Sequence, residues 1–220
     1  MAAQVISAIQ SKGGAGKTTL LMSLASLIIA DGFKVRLIDT DPRHHLTKWA
    51  IKSGLKDVLQ VVEDEQLIVK AVRSARKETD LVFIDTAGIM SQMTVFVTGV
   101  SDLVFVPTKA SDADLDDAID IIEKIKGTSE MIGRDVPHLV VLSQLDIRAN
   151  ITAHIIKKIK KAGYPLLDAA MHDRTAFKEM YTRGGAPRGG ARKVASEVLG
   201  NLQTELLLDC YSTQNREAVV

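Results

Sequence analysis

The chain has 220 residues, 46% hydrophobic and 25% charged, with a net charge of +1. That length and balance specify one globular domain with ample chain for a core, and exclude a disordered or low-complexity polypeptide. Aromatics make only 4% and there is one cysteine, Cys210, so the core must be aliphatic, an intrachain disulfide is excluded, and a reducing cytosol fits. No targeting segment is read before the first strand, and no apolar run reaches membrane-spanning length.

In chain order, Val5-Ile6-Ser7-Ala8-Ile9 reads as a buried strand and residues 20–29 as a buried helix. Between them lies Ser11-Lys12-Gly13-Gly14-Ala15-Gly16-Lys17-Thr18-Thr19. Strand, glycine-rich loop and helix are the setting of a phosphate-binding loop. Its glycines let successive N–H groups converge on one anion, and the helix N-terminus adds its positive dipole end. Residues Gly13, Gly14, Ala15, Gly16, Lys17, Thr18 and Thr19 form the cradle. Lys17 is placed to reach the β- and γ-phosphates, and the Thr18 hydroxyl to ligate Mg²⁺.

Asp31-Gly32 stops the helix, and residues 33–39 form a second strand ending in Asp39. Thr40-Asp41-Pro42-Arg43 follows, then a helical stretch through Trp49. A strand is expected at Val58–Val62, a helix at Glu65–Lys77, and a buried strand over 80–85 that ends in Asp85. Further strands are read at 103–107, 138–143 and 165–167, the last of them short. Helices are read at 112–126 (acidic), 151–162 (basic), 174–182 and 191–209. Residues 212–220 read as a frayed tail on a single domain spanning 1–211.

Strands alternate with helices and are continuously apolar, which specifies an α/β fold: a mostly parallel twisted sheet with helices on both faces. Ligands sit at the carboxyl ends of such strands, where the loop, Asp39, Asp41 and Asp85 all fall. Asp85, ending an apolar strand, is the natural carboxylate to hold Mg²⁺ through a water. His44 and His45 read as surface residues, because a metal site needs other ligands beside them.

The loop departs from the plain G-x-x-x-x-G-K-[ST] pattern, since Ser11 stands at the first glycine position. Lys12-Gly13-Gly14-x-Gly16-Lys17-Thr18 resembles the deviant Walker A loop of the ParA/MinD family of ATPases. Asp39-Thr40-Asp41-Pro42 resembles that family's D-x-D-P motif, and Asp173-Arg174-x-x-Phe177 resembles a segment of small plasmid-partition members. The resemblance covers roughly residues 3–209 and is nearest to the short class without an N-terminal DNA-binding domain. It implies a P-loop NTPase fold, with Lys12 reaching the nucleotide of the other subunit in an ATP-bridged homodimer. It implies that Asp41 orients the attacking water and that Asp39 supports the metal site. ATP and Mg²⁺ are the ligands it implies. It further implies slow, partner-stimulated ATP hydrolysis, a small ParB-like DNA-binding partner, and a cytoplasmic protein that joins the nucleoid when ATP-bound. Arg43 stands where members usually carry Gln.

Asp85-Thr86-Ala87-Gly88 resembles the switch motif of signal-recognition-particle GTPases, in which the glycine N–H senses the γ-phosphate. Ser143-Gln144-Leu145-Asp146 is similar to their guanine-reading segment. These likenesses make Gly88 a γ-phosphate contact and Gln144 and Asp146 base-side residues. Lys12 and the D-x-D-P motif weigh for ATP over GTP.

Charge is uneven along the chain. Residues 111–135 hold eight acidic side chains against three Lys/Arg, and residues 144–193 hold eleven Lys/Arg against four acidic. Helical spacing turns Ile151, Ile155 and Ile159 inward and Lys157, Lys158 and Lys161 outward. Arg188 and Arg192 add charge from a glycine-rich stretch. Such an excess points to sequence-independent DNA binding, strengthened in a dimer that doubles the phosphate contacts. Residues 196–209 carry Glu197, Glu205 and Asp209 and no Lys or Arg, which weighs against a basic membrane-binding tail. The expected function is an ATP-dependent DNA-partition switch. The alternatives are a factor for conjugative DNA transfer and one that positions a protein cargo.

Overall fold

The computed structural model describes residues 3–88, 91–145, 150–173, 175–205, 207–208 and 210. The strands are β1 (Gln4–Ala8), β2 (Val35–Asp39), β3 (Leu59–Val61), β4 (Leu81–Asp85), β5 (Leu103–Thr108), β6 (His138–Leu145) and β7 (Met171–His172). The helices are α1 (Lys17–Ala30), α2 (His45–Lys52), α3 (Glu65–Ala75), α4 (Gln92–Val100), α5 (Asp112–Ile132), α6 (Asn150–Lys161), α7 (Thr175–Arg183) and α8 (Gly189–Thr204). One sheet runs β3-β2-β4-β1-β5-β6-β7, and each neighbouring pair is parallel.

β1 and β4 are buried at every residue, because helices cover the sheet on both sides. From β1 to β3 the chain steps towards one edge, and from β3 to β7 it steps towards the other. Right-handed crossovers then force the connecting helices onto opposite faces. The two apolar clusters divide accordingly. Residues of α1, α2, α7 and α8 meet Ile6, Leu37, Phe83 and Phe105 on one face. Residues of α3, α4, α5 and α6 meet Val5, Ile38, Val82 and Val104 on the other. The direction reverses beside β1, so the crevice at its carboxyl end is the natural ligand position.

α1 is apolar almost all round, since the sheet lies beneath it and α2 and α8 flank it. Leu20, Leu21, Leu24 and Ile28 are fully buried, each stabilising the fold by about 1.5–3 kcal/mol. α2 is fastened to the turn between α7 and α8. Trp49 Nε1 donates to the Gly185 carbonyl (3.0 Å), and the Gly185 N–H donates to Ser53 Oγ (2.7 Å). A Cβ on Gly184 would stand 2.6 Å from the Lys52 carbonyl, and Gly184 has φ +78, so only glycine fits there.

Several elements differ from the sequence reading. α4 lies in a stretch to which the sequence reading assigns no element, and Thr94, Val95, Val97 and Val100 in it are β-branched. It is held by a Ser91–Thr94 capping box and by burial of Met93 and Val97. α5 runs through Gly127 to Ile132 and ends at Gly133 in the left-handed region. The short strand expected at 165–167 is a single bridge, Val140 to Leu166, and the seventh strand is Met171–His172. Ile151 does not face inward: it is 42% exposed, while Ile155 and Ile159 are buried. The expected tail, 212–220, and Asp146 lie outside the described residues. Among the described residues, no helix is long and apolar enough to cross a membrane.

Candidate functional site

Residues 10–17 carry the chain from β1 into α1 around the mouth of a cavity of about 590 Å³. Gly14 (φ +75) and Gly16 (φ +94) are left-handed, a conformation that other residues adopt only at a cost. The loop is clamped from the end of β6. Ser143 Oγ donates to the Ala15 carbonyl and Gln144 Nε2 to the Gly14 carbonyl, both at 2.6 Å. Gln144 itself has φ +51 and sits where the β6–β7 register shifts. Its amide therefore braces the loop. Behind the loop, Gln10 Oε1 accepts from the Ser11 N–H (2.8 Å).

Lys17 is only 6% exposed, and its ammonium donates to the Gln10 carbonyl at 3.1 Å. Burial holds its pKa below the usual lysine range, against the attraction of Asp85 and Asp41. Thr18 Oγ1 donates to Asp85 Oδ2 at 2.7 Å. Asp85 Oδ1 is buried and has no hydrogen-bond partner among the described residues. Burial first, and the nearby Asp39 and Asp41, push the Asp85 carboxyl up to about 7 although Thr18 and Lys17 oppose it. A buried carboxylate oxygen without a partner, beside a hydroxyl at the head of a phosphate loop, fits a hard divalent cation completed by phosphate oxygens and water. No three His, Cys, Asp or Glu among the described residues form a cage of their own.

Asp39 and Asp41 come from the end of β2. Asp39 Oδ1 accepts from the Asp41 N–H (3.1 Å), and Oδ2 accepts from the Thr47 N–H and hydroxyl (2.8 and 2.7 Å). Asp39 thus ties the turn to the first turn of α2, and both its oxygens are engaged. Asp41 Oδ1 accepts from the Arg43 N–H at 2.9 Å. Its other oxygen has no protein partner among the described residues, and Asp41 lines the cavity.

Gly88, after β4, lies against the loop. A Cβ there would stand 3.0 Å from Gly13 Cα and N, so any side chain at 88 would push the loop aside by a few tenths of an ångström. Lys12 points the other way: its ammonium meets Asp114 at 2.9 Å and Asp117 at 3.9 Å on α5. The Asp114 hydrogen bond raises the Lys12 pKa. Burial opposes ionisation of Asp114, but Ser111 and Lys12 hold its carboxyl below the usual range. At the far side of the cavity Met22, Met171, His172, Asp173 and Phe177 form a partly apolar wall suited to a base and sugar. The sequence does not single out Met171, because so short a strand has no periodicity; His172 stands out only beside Asp173, as an acid/base pair for which phosphoryl transfer has no need.

The basic residues are not brought together. Lys157, Lys158 and Lys161 are exposed on α6, on one face of the sheet; Arg188 and Arg192 are exposed at the start of α8, on the opposite face. Lys158 pairs with Asp112 and Lys160 meets Asp168 at 3.6 Å.

A protein-family model described as VirC1 protein matches residues 3–187. Protein virC1 of Rhizobium rhizogenes is 29% identical over 180 residues, 79% of this chain and 78% of that protein. Protein ParA of Rhizobium radiobacter is 27% identical over 185 residues, 82% and 83% of the two chains. The solved structure of apo McdA from Cyanthece has a TM-score of 0.73 at 15% identity, covering 91% of this chain and 99% of that one. The last likeness concerns the fold, and the first three concern ancestry. With its deviant phosphate loop on a seven-stranded parallel sheet, this chain belongs to the VirC1 family, within the ParA/MinD group of P-loop proteins.

Proposed function

We propose that the protein is an ATP-driven dimerising switch of the ParA type that acts in DNA partition. The observation that carries this reading is convergence: Lys17 and Thr18 after β1, Asp41 after β2 and Asp85 after β4 belong to one crevice. Phosphoryl transfer asks the protein chiefly for positioning and charge stabilisation, which these groups supply. The loop N–H groups and Lys17 bind the phosphates. Thr18 and Asp85 would hold Mg²⁺, which would supply positive charge against the phosphate oxygens. The open oxygen of Asp41 orients a water. Asp39 acts by fixing the Asp41 turn. ATP is favoured over GTP, and hydrolysis is slow until a small DNA-binding partner of the ParB kind stimulates it.

In this reading Lys12 leaves Asp114 and reaches the nucleotide of a second protomer, so that ATP bridges a homodimer. The dimer is cytoplasmic and holds to the nucleoid through non-specific DNA contacts. The placement of basic residues on two faces favours a second reading, in which the same switch serves a protein cargo or a DNA-transfer complex. Lys17→Ala tests the site: ATP affinity should fall at least about 100-fold, because a buried charge-assisted phosphate contact is lost. Retained tight ATP binding would reject the assignment, and stronger binding of GTP would reject the choice of nucleotide.

A further inference from the structure

Arg43 follows the Asp41 turn, and its side chain is not used by the reading above. Its N–H donates to Asp41 Oδ1, and its carbonyl accepts from Lys48 Nζ at 2.8 Å. Those two bonds fix the backbone that launches the side chain. The guanidinium then lies over the phosphate loop: Nη1 is 3.7 Å from where a Cβ on Gly13 would stand. Gly13 is backed on another side by Gly88. The loops after β1, β2 and β4 therefore close on one point, and Arg43 stands at it, lining the same cavity as Lys17 and Asp41.

The other cations of the mouth are engaged. Lys12 is held by Asp114, and Lys17 by the Gln10 carbonyl. The Arg43 guanidinium has no hydrogen bond or ion pair among the described residues, although its charge reaches Lys17. An uncommitted guanidinium beside a phosphate cradle has a clear chemical complement. It is always charged, and its planar fork matches two oxygens of one phosphoryl group.

We propose that Arg43 is a built-in catalytic arginine, contacting the γ-phosphoryl oxygens of ATP from within its own chain. This rests on the reading of the crevice as an ATP site. In hydrolysis the water oxygen bonds to the γ-phosphorus. The bond to the β–γ bridging oxygen breaks, its electron pair leaving with ADP, and the water's proton ends on inorganic phosphate or in solvent. Charge on the γ-oxygens is what an arginine supplied in the same chain stabilises. ADP has no such group, so Arg43 also makes the protein distinguish ATP from ADP.

The test is to compare wild type, Arg43→Ala, Arg43→Lys and Lys17→Ala by equilibrium binding of fluorescent ATP and ADP analogues and by single-turnover hydrolysis of γ-labelled ATP with Mg²⁺. Arg43→Ala should lose about tenfold or more of the preference for ATP over ADP. Its ADP affinity should stay within about twofold, and its turnover should fall by at least about 100-fold. Arg43→Lys should recover part of the preference and less of the rate, since it restores charge without the fork. An unchanged ATP/ADP ratio and rate in Arg43→Ala would overturn the inference, as would an equal loss of ATP and ADP binding. Failure of wild type to bind ATP better than Lys17→Ala would overturn the ATP site itself.

Discussion

Asp39, Asp85 and Lys17 are nearly or wholly out of contact with solvent, whereas Lys157, Lys161, Arg188 and Arg192 stand in water. Each charge in the first group costs free energy to bury and is kept in place by named partners: Thr47, Thr18, the Gln10 carbonyl. The second group costs little, and its ion pairs at the surface contribute little. The contrast separates the kinds of inference a charge can bear. A buried, convergent set implies something that repays the burial. A dispersed surface set implies an interaction only for members that share a face, and the lysines of α6 and the arginines at the start of α8 lie on opposite faces.

The comparison is broken most severely at Asp41. Asp41→Ala should lower turnover by about 10²–10⁴-fold, yet leave ATP affinity within a few-fold and accumulate a dimer in size-exclusion chromatography with ATP. Loss of nucleotide binding in that variant would place Asp41 in the cradle instead.

Asp85 comes next. Its pKa in the folded, metal-free protein is raised from the ordinary 3.8 to about 7. The folded state then keeps a proton that the unfolded chain releases near pH 4. Its contribution to stability is full below pH 4, declines between pH 4 and 7, and is flat above. Asp85→Asn removes that decline. With chelator present, the melting temperature of Asp85→Asn minus that of wild type should widen by about 5 °C from pH 5 to pH 7. A constant difference would mean an ordinary carboxylate.

The surface group is sharpened by dividing it. Filter binding of the Asp41→Ala protein to random duplex DNA with ATP should lose about tenfold or more with either Lys157→Glu/Lys161→Glu or Arg188→Glu/Arg192→Glu, but not with both pairs alike. Equal losses would mean that DNA reaches both faces, and no loss would favour a protein cargo. The smallest effect is expected at the rim, where Lys12 is half exposed. Asp114→Asn should lower the ATP concentration needed for dimerisation by a few-fold, read by analytical ultracentrifugation, and an increase would assign Asp114 to the dimer contact.

Much of the crevice was legible because its chemistry is local in sequence. The glycine-rich run, its flanking strand and helix, and the carboxylates ending two apolar strands all declare themselves within a few residues. The parallel sheet followed from continuous apolar strands alternating with helices. What stayed hidden depends on tertiary placement. Nothing near Ser143 or Gln144 shows that they brace the Gly14 and Ala15 carbonyls, some 130 residues away. The pairing of Lys12 with Asp114 is equally remote. α4 escaped because burial overrode β-branched propensity, and α5 outran expectation because the helix tolerated Gly127 at a cost of about 1 kcal/mol. Closeness of the basic residues in sequence does not put them on one face, because the chain changes side of the sheet between α6 and α7.

The contact of Gly184 with Lys52 makes one mechanical part of two segments that the chain order keeps far apart. The helix that hangs from the Asp41 turn and the turn that launches Arg188 share a seam without room for a methyl group. Motion at one end of that seam must be met by motion at the other, because hydrogen bonds from Trp49 and Gly185 span it. A substitution as slight as Gly184→Ala would therefore act as a wedge. It would part the seam and disturb the Asp41 turn through α2.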